Sequence, residues 1–326
     1  MTIEVLRPGL LMTVQDCGRH GLQHIGVCPG GAMDGPALAL ANALVGNRAD
    51  EAALEITVLG PDLHFPHETL VALGGGEFDA DIPLNRPVLL EAGARISVTR
   101  SRRGARGYLA VAGGIAVEPV LGSRSTYLPG RFGGLEGRML KRGDSVPLHP
   151  ECARISRERF LMLKHKRRRS VRWFAPPLTL PDREPVLIHA MDGTNFADFD
   201  PAVQRAFFDA VWQIGRDSNR MGFRLSGPPL PRLTDHEVLS GPTCLGTVQV
   251  PASGVPIVLM ADHQTTGGYP KIAEIAAADV PRLAQLAPGG TVHFARCGVD
   301  TAAELRHDAQ ARMDAVLRGI RWEYGE

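Results

Sequence analysis

Ile257-Val258-Leu259-Met260-Ala261-Asp262-His263-Gln264-Thr265-Thr266-Gly267-Gly268-Tyr269-Pro270-Lys271 sets a short apolar run directly against a dense polar one. Residues 257–261 suit a buried strand, ended by the polar chemistry behind it. Seven polar side chains, two glycines and Pro270 fill the ten positions from Asp262 to Lys271. A simple hairpin turn needs only Gly with Asn or Asp. A scaffold strand that delivers such a loop is how many active sites are presented. The paired glycines admit close backbone approach, Tyr269 offers a donor, Lys271 a cation, and Asp262 a base or an orienting carboxylate. His263 is a further candidate only.

Working outward, the same short-strand pattern recurs. Before the loop, strands are expected at 186–189, 212–214, 223–225 and 247–250, and after it at 291–294, following a short helix capped by Asp279. Asp200-Pro201 opens another helix, with Val203, Phe207, Ala210 and Val211 on one face. In the first half, runs at 3–6, 55–58, 69–73, 88–91, 96–98 and 106–115 carry β-branched or apolar residues bounded by Gly or Pro. One helix interrupts them: Asp34 caps it, Pro36 suits its first turn, 37–44 are helix formers, and Gly46-Asn47 stops it. The segments 121–126 and 130–137 are polar and Gly-rich, and are expected as a long surface loop. Gly143-Asp144 offers a hairpin turn. The tail is a helix, with a Thr301/Glu304 capping pattern and an apolar stripe of Leu305, Ala309, Met313, Val316 and Ile320.

With 37 Gly and 25 Pro in 326 residues, turns are abundant. A change to charge and prolines over 151–184 marks a linker, so the expected plan is an N-terminal domain at 1–150, the linker at 151–184, a C-terminal domain at 185–296 and the helix at 297–326. The cluster Lys164-His165-Lys166-Arg167-Arg168-Arg169 lacks interleaved aromatics and reads as solvated linker. Lys plus Arg at 36 balances Asp plus Glu at 35, leaving no global field for nucleic acid or an anionic membrane. Five scattered cysteines without a C-x-x-C pair fit reduced thiols. The first residues lack the basic-then-apolar order of a signal peptide, and no apolar run is long enough to span a bilayer. A cytoplasmic protein is expected.

Well-known phosphate-loop, metal-helix and nucleophile-elbow signatures are absent from the sequence. His20 and His24 are flanked by glycines and have no evident third ligand, so no metal is assigned. Three polar clusters accompany the opening one. Gln15, Asp16 and Arg19 follow the first strand, where Asp16 and Arg19 either pair with each other or serve a ligand. Gly30-Gly31-Ala32-Met33-Asp34 opens the first helix, so its N–H groups suit an anion, while Asp34 itself reads best as N-cap. Ser218, Asn219, Arg220 and Arg224 bring hydroxyl, amide and guanidinium groups suited to carboxylate or phosphate.

Eight motifs in order then carry a resemblance. They are Val14-Gln15-Asp16-x-Gly18-Arg19, Gly31-Ala32-Met33-Asp34, Ala41-Asn42-x-Leu44-Val45-Gly46-Asn47, Leu54-Glu55-Ile56-Thr57, Tyr108-Leu109-Ala110-Val111-Ala112-Gly113-Gly114, Leu121-Gly122-Ser123-Arg124-Ser125-Thr126, Ser218-Asn219-Arg220-Met221-Gly222 and the run from Gln264 to Lys271. The chain resembles, from about residue 3 to about 296, the biotin-dependent carboxyltransferase, or allophanate hydrolase subunit 2, family. The resemblance implies a mainly β (α+β) fold of two cyclophilin-like β-barrel domains with a cleft between them. It implies an ATP-dependent amide-processing hydrolase, foremost the C subunit of a 5-oxoprolinase (5-oxo-L-proline, ATP and water to L-glutamate, ADP and phosphate). Partner proteins like the A and B subunits of that enzyme would complete it. The alternatives it implies are the carboxyltransferase component of a biotin-dependent urea or amide carboxylase or an allophanate hydrolase subunit 2, and a non-catalytic antagonist that binds a kinase-inhibitor-like partner. ATP with Mg would act in the complex, and biotin only if supplied by another protein, because no Ala-Met-Lys-Met segment is present. Asp262, Tyr269 and Lys271 are the expected catalytic residues. The expected substrate or nucleotide contacts are Gln15, Asp16, Arg19, Asp34, Asn42, Ser218, Asn219, Arg220, Gln264, Thr265, Thr266, Gly267 and Gly268.

Overall fold

The computed structural model describes residues 1–150, 153–166, 169–232 and 238–325. The fold is mainly β, with five α-helices among the described residues. The chain divides into two units, Met1–Arg19 with Gly30–Leu180 and Arg312–Glu326, and His20–Pro29 with Pro181–Ala311.

The first unit holds strands β1 (Thr2–Arg7), β2 (Leu11–Gln15), β3 (Ala53–Thr57), β4 (Asp62–Phe65), β5 (Thr69–Ala80), β6 (Pro87–Leu90), β7 (Ala94–Val111) and β8 (Ser145–Pro147), with helices α1 (Gly35–Val45) and α2 (Arg154–His165). They form a curled eight-stranded sheet in the order β2-β3-β7-β4-β1-β8, with β5 and β6 joined on beside β7. The sequence suggests two separate strands at 96–98 and 106–115. The structure instead runs one strand of 18 residues, in which Gly104 takes a left-handed φ of 79° and β5 shifts register opposite it. Only a residue without Cβ adopts that backbone freely, so the strand bends there without ending. Alternation then sorts the side chains: Leu54, Ile56, Val71, Leu73, Leu109 and Val111 enter one core, while Ala53, Leu70, Ala72, Tyr108 and Ala110 pack under α1. Both faces are covered, which is why these strands read as unbroken apolar runs.

Helix α1 follows its sequence signals. Asp34 Oδ1 accepts from Ala37 N at 3.0 Å, and Gly46 closes the helix at φ 80°. The stretch expected as linker carries α2, whose Ser156, Arg159 and Leu163 are buried. Arg159 lies 4.0 Å from the Tyr324 ring centroid, so the stretch packs as part of the first unit through Leu180. Arg167 and Arg168 of the basic cluster, and Cys152, lie outside the described residues. The other cysteines are free thiols.

The second unit holds β9 (Val186–Asp192), α3 (Pro201–Asp209), β10 (Val211–Ile214), β11 (Gly222–Ser226), β12 (Gly241–Pro242), β13 (Thr247–Gln249), β14 (Ile257–Leu259), β15 (Thr266–Gly267), β16 (Lys271–Ile275), α4 (Val280–Ala284) and β17 (Thr291–Arg296). Seven of the strands close into a barrel in the order β10-β11-β14-β13-β16-β9-β17, sealed by the parallel pair β17–β9, and β12 pairs with β15 as a separate ribbon. Phe207 from α3 stacks on Phe294 at 4.8 Å, and Trp212 Nε1 donates to Phe207 O at 2.9 Å. Asp279 precedes α4 but does not cap it through its side chain. That carboxylate accepts from His189 N, His189 Nδ1 and Arg282 Nη1 instead, each at 2.7 Å. Helix α5 (Val299–Tyr324) starts two residues before the predicted capping threonine, and its stripe ends on buried Ile320. Among the described residues no helix is long and apolar enough to cross a membrane.

Candidate functional site

Polar residues of the first unit are numerous, buried and mostly engaged with one another. Asp16 Oδ1 accepts from Ser123 Oγ and Ser125 Oγ at 2.6 Å each and from Gly18 N at 2.7 Å, while Oδ2 accepts from Arg124 N. Arg19 Nη2 donates to Ser125 O at 2.6 Å, and its guanidinium lies 4.9 Å from the Phe132 ring centroid. Gln15 Nε2 donates to Thr13 Oγ1 and Thr126 O. Of the segment 121–126, expected on the surface, Leu121 and Gly122 are exposed, while Ser123, Ser125 and Thr126 are folded inward and buried. A carboxylate with several donors around it can sit in a core, and here Asp16 supplies the acceptors that let a polar loop leave water.

The start of α1 follows the same logic. Met33 N donates to Glu55 Oε2 at 2.9 Å, Asp34 N to Tyr108 OH at 2.8 Å, and Tyr108 OH to Glu55 Oε2 at 2.8 Å. Thr179 Oγ1 donates to Asp34 Oδ2 at 2.5 Å. Burial, reinforced by Glu55 and Asp34, pushes the Tyr108 phenol far up, so it stays a neutral donor. The N–H groups that suit an external anion are occupied by the protein's own carboxylates and phenol. Asn42 is equally committed: its Nδ2 donates to Glu51 O at 2.7 Å, and its Oδ1 accepts from Asn47.

In the second unit, the loop behind β14 is held by one buried ion pair. Arg220 Nε and Nη2 donate to the two Asp262 oxygens at 2.9 and 2.8 Å, with side-chain exposures of 3% and 1%. Asp262 N donates back to Arg220 O at 2.8 Å. Both carboxylate oxygens are thus engaged in holding Arg220. Ser218 and Asn219 shape the preceding turn, their side-chain oxygens accepting from Arg224 N and Met221 N. His263 Nδ1 donates to Gln264 O at 2.6 Å, and burial pulls its pKa down.

From Gln264 onward the loop is more open. Thr243 pairs with it through Thr243 N to Thr265 O at 3.0 Å, and Gln264 Nε2 donates to Gln249 Oε1 at 3.2 Å. Gln249 Nε2 is buried, with no hydrogen-bond partner among the described residues. A Cβ on Gly267 would collide with that nitrogen, so glycine is what lets the backbone pass over the amide. Thr266 and Tyr269 are exposed. Lys271 opens β16 opposite Gln249, with its backbone clamped by Asn195, which accepts from Lys271 N at 3.2 Å and donates to Lys271 O at 3.0 Å. The residue is 7% exposed, yet among the described residues Nζ makes no hydrogen bond or ion pair.

Next to Lys271 stand residues that sequence reasoning missed. Glu274 on the same strand accepts from Thr247 Oγ1 at 2.8 Å and from Cys244 Sγ at 3.4 Å, and burial pushes its pKa up. The available signal was a lone carboxylate inside the apolar run Ile272-Ala273-Glu274-Ile275. Gln249 carried a similar signal, as an amide between Val248 and Val250.

Residues 25–296 match a family model described as the carboxyltransferase domain, subdomain A and B. The chain is 43% identical over 313 residues to the C subunit of 5-oxoprolinase from Escherichia coli, covering 94% of this chain and 95% of that one. It is 32% identical to urea amidolyase of Lachancea kluyveri, covering 97% of this chain but only 18% of that much longer protein. The crystal structure of Kluyveromyces lactis urea carboxylase superposes with a TM-score of 0.85 at 31% identity, over 97% of this chain and 29% of that one.

Proposed function

The chain belongs to the carboxyltransferase domain family, subdomains A and B, and from that premise we propose that it is the C subunit of a 5-oxoprolinase, acting on the lactam of 5-oxo-L-proline with ATP. The alignment with the C subunit of a 5-oxoprolinase over nearly the full length of both chains supports this reading. The observation that carries the chemistry is Lys271: the residue is 7% exposed, and among the described residues its ammonium closes no ion pair and makes no hydrogen bond. An ammonium without an ion-pair partner is left to face an arriving anion or a developing oxyanion. The carbonyl oxygen of an amide, polarised as charge builds on it, is such a partner.

Around Lys271, Gln264, Thr265, Thr266, Gly267 and Gly268 form the substrate loop, with exposed Tyr269 at its rim as a donor. Arg220 and Asp262 hold that loop, and Ser218 and Asn219 shape the turn before it. Gln15, Asp16, Arg19, Asp34 and Asn42 act through the first unit's fold. The N–H groups of Met33 and Asp34 that open α1 are occupied by Glu55 and Tyr108, so that helix start offers Mg-ATP no cradle. Among the described residues no group of three or more His, Cys, Asp and Glu suits a metal ion. Partners resembling the A and B subunits of 5-oxoprolinase, in a cytoplasmic complex, would supply the nucleotide site.

Co-expression with the A and B subunits, followed by phosphate release from ATP with and without 5-oxoproline, tests the reading. The expected result is 5-oxoproline-dependent release that falls by about 10²–10³-fold in Lys271→Ala, the size typical of losing one oxyanion donor. Absence of stimulation in a stably assembled complex overturns it. The kinship with urea carboxylase gives urea as the second amide to try, together with a biotinylated carrier protein.

A further inference from the structure

Glu274 is a carboxyl group gripped by one oxygen. Thr247 Oγ1 and Cys244 Sγ both donate to Oε2, and among the described residues no donor reaches Oε1. The grip is oriented. Thr247 Oγ1 accepts from Cys244 N at 3.1 Å, so its own proton is left to point at Glu274. The register places Thr247 of β13 opposite Glu274 on one side and Met191 of β9 opposite it on the other. Among the described residues, the titratable groups that act on Glu274 are Cys244, ahead of β13, and Lys271, on its own strand. The Lys271 charge acts on both Glu274 and Cys244 without closing an ion pair to either. A cation and a carboxyl with a free oxygen thus share one end of the barrel.

We propose that Glu274 is the proton acceptor of this site, its Oε1 taking the N–H proton of the bound amide while Lys271 faces the amide oxygen. Thr247 is the positioning residue. The step balances without a further reagent: the N–H bond breaks, its electron pair stays on the amide and spreads onto the oxygen, and the carboxylate becomes a neutral acid that later returns the proton to water. Asp262, the proton-transfer candidate of the sequence, has both oxygens on Arg220, whereas Glu274 has one to spare. Burial raises the basicity of Glu274, and the hydroxyl of Thr247 moderates it. The inference rests on the amide-processing reading, but not on which amide is used, because lactam and urea nitrogens both carry the proton.

The test uses the assembled complex and compares Glu274→Gln and Thr247→Val with the parent. Gln keeps the shape and accepts the Thr247 hydrogen bond, so melting temperature should stay near that of the parent. The expected result is a fall in kcat of about 10²–10⁴-fold at little-changed KM, the usual contribution of a general base. The parent should lose activity as pH falls through the Glu274 pKa, and Thr247→Val should move that acid limb to higher pH, since it removes a donor to the charged form. Retention of kcat within about threefold in Glu274→Gln, or an acid limb that stays in place in Thr247→Val, overturns the assignment. If Lys271→Ala is inactive while Glu274→Gln is active, the amide reading stands and this inference falls. If the parent complex turns over neither 5-oxoproline nor urea, both fall.

Discussion

Replacing Arg220 by methionine would strand the Asp262 carboxylate in a place that water does not reach. The two side chains are 3% and 1% exposed, and the guanidinium engages both carboxylate oxygens at 2.9 and 2.8 Å. Removing one member of such a buried pair costs about 3–5 kcal/mol, because the remaining charge keeps its desolvation penalty and loses its partner. At about 2–4 °C per kcal/mol for a unit of this size, the melting temperature should fall by roughly 10 °C. The double variant Arg220→Met with Asp262→Leu should recover most of that loss, since attraction and desolvation nearly cancel in the intact pair. Circular dichroism melts and urea titrations of the parent, the two singles and the double complete the cycle. A single variant that loses less than about 1 kcal/mol, or a double no more stable than Arg220→Met, would refute the claim that this pair is what holds the loop.

Other expectations follow from the same structure. Tyr108→Phe removes the donor to Glu55 and the acceptor for Asp34 N, and should cost about 1–3 kcal/mol in urea unfolding, with the loss localised to the start of α1 by hydrogen exchange. Phe207→Ala empties the stack against Phe294 and should cost about 3–5 kcal/mol, read as a shifted urea midpoint. Arg7 holds the Asp62 carboxyl at about 2, below its usual 3.8. The stability this gives is present above the unfolded value and is lost as pH falls through the folded one. The pair is substantially exposed, so Arg7→Ala should cost no more than about 1 kcal/mol at neutral pH, and acid titration should bring the two proteins together by about pH 2.

The sequence is most informative where local chemistry and fold agree. Asp34, Pro36 and Gly46 mark the bounds of α1 because each acts within its own turn, and the stripe on α5 is visible for the same reason. It is least informative where polarity is solved at long range. Ser123 and Ser125 look like surface residues, and nothing near them in the chain reveals that Asp16, 107 and 109 residues away, accepts their hydrogen bonds. Asp262 stands out for its chemistry, but its partner lies 42 residues back in another turn. Glu274 escapes notice because one carboxylate within a five-residue strand reads as ordinary alternation, and only pairing with β13 sets Thr247 against it.

The order in which residues leave the ribosome does not match the order in which the units are completed. Synthesis usually lets an N-terminal domain fold first. Here the first unit's own core takes in Ile320, with Val316, Leu317 and Tyr324 packed against it, and these follow the whole of the second unit in the chain. Residues 1–180 therefore wait, with the α1 face incomplete, until the second unit's sequence has been made. A chain cut just before Val316 would lose nothing from the second barrel, and its damage would be felt first in the N-terminal half.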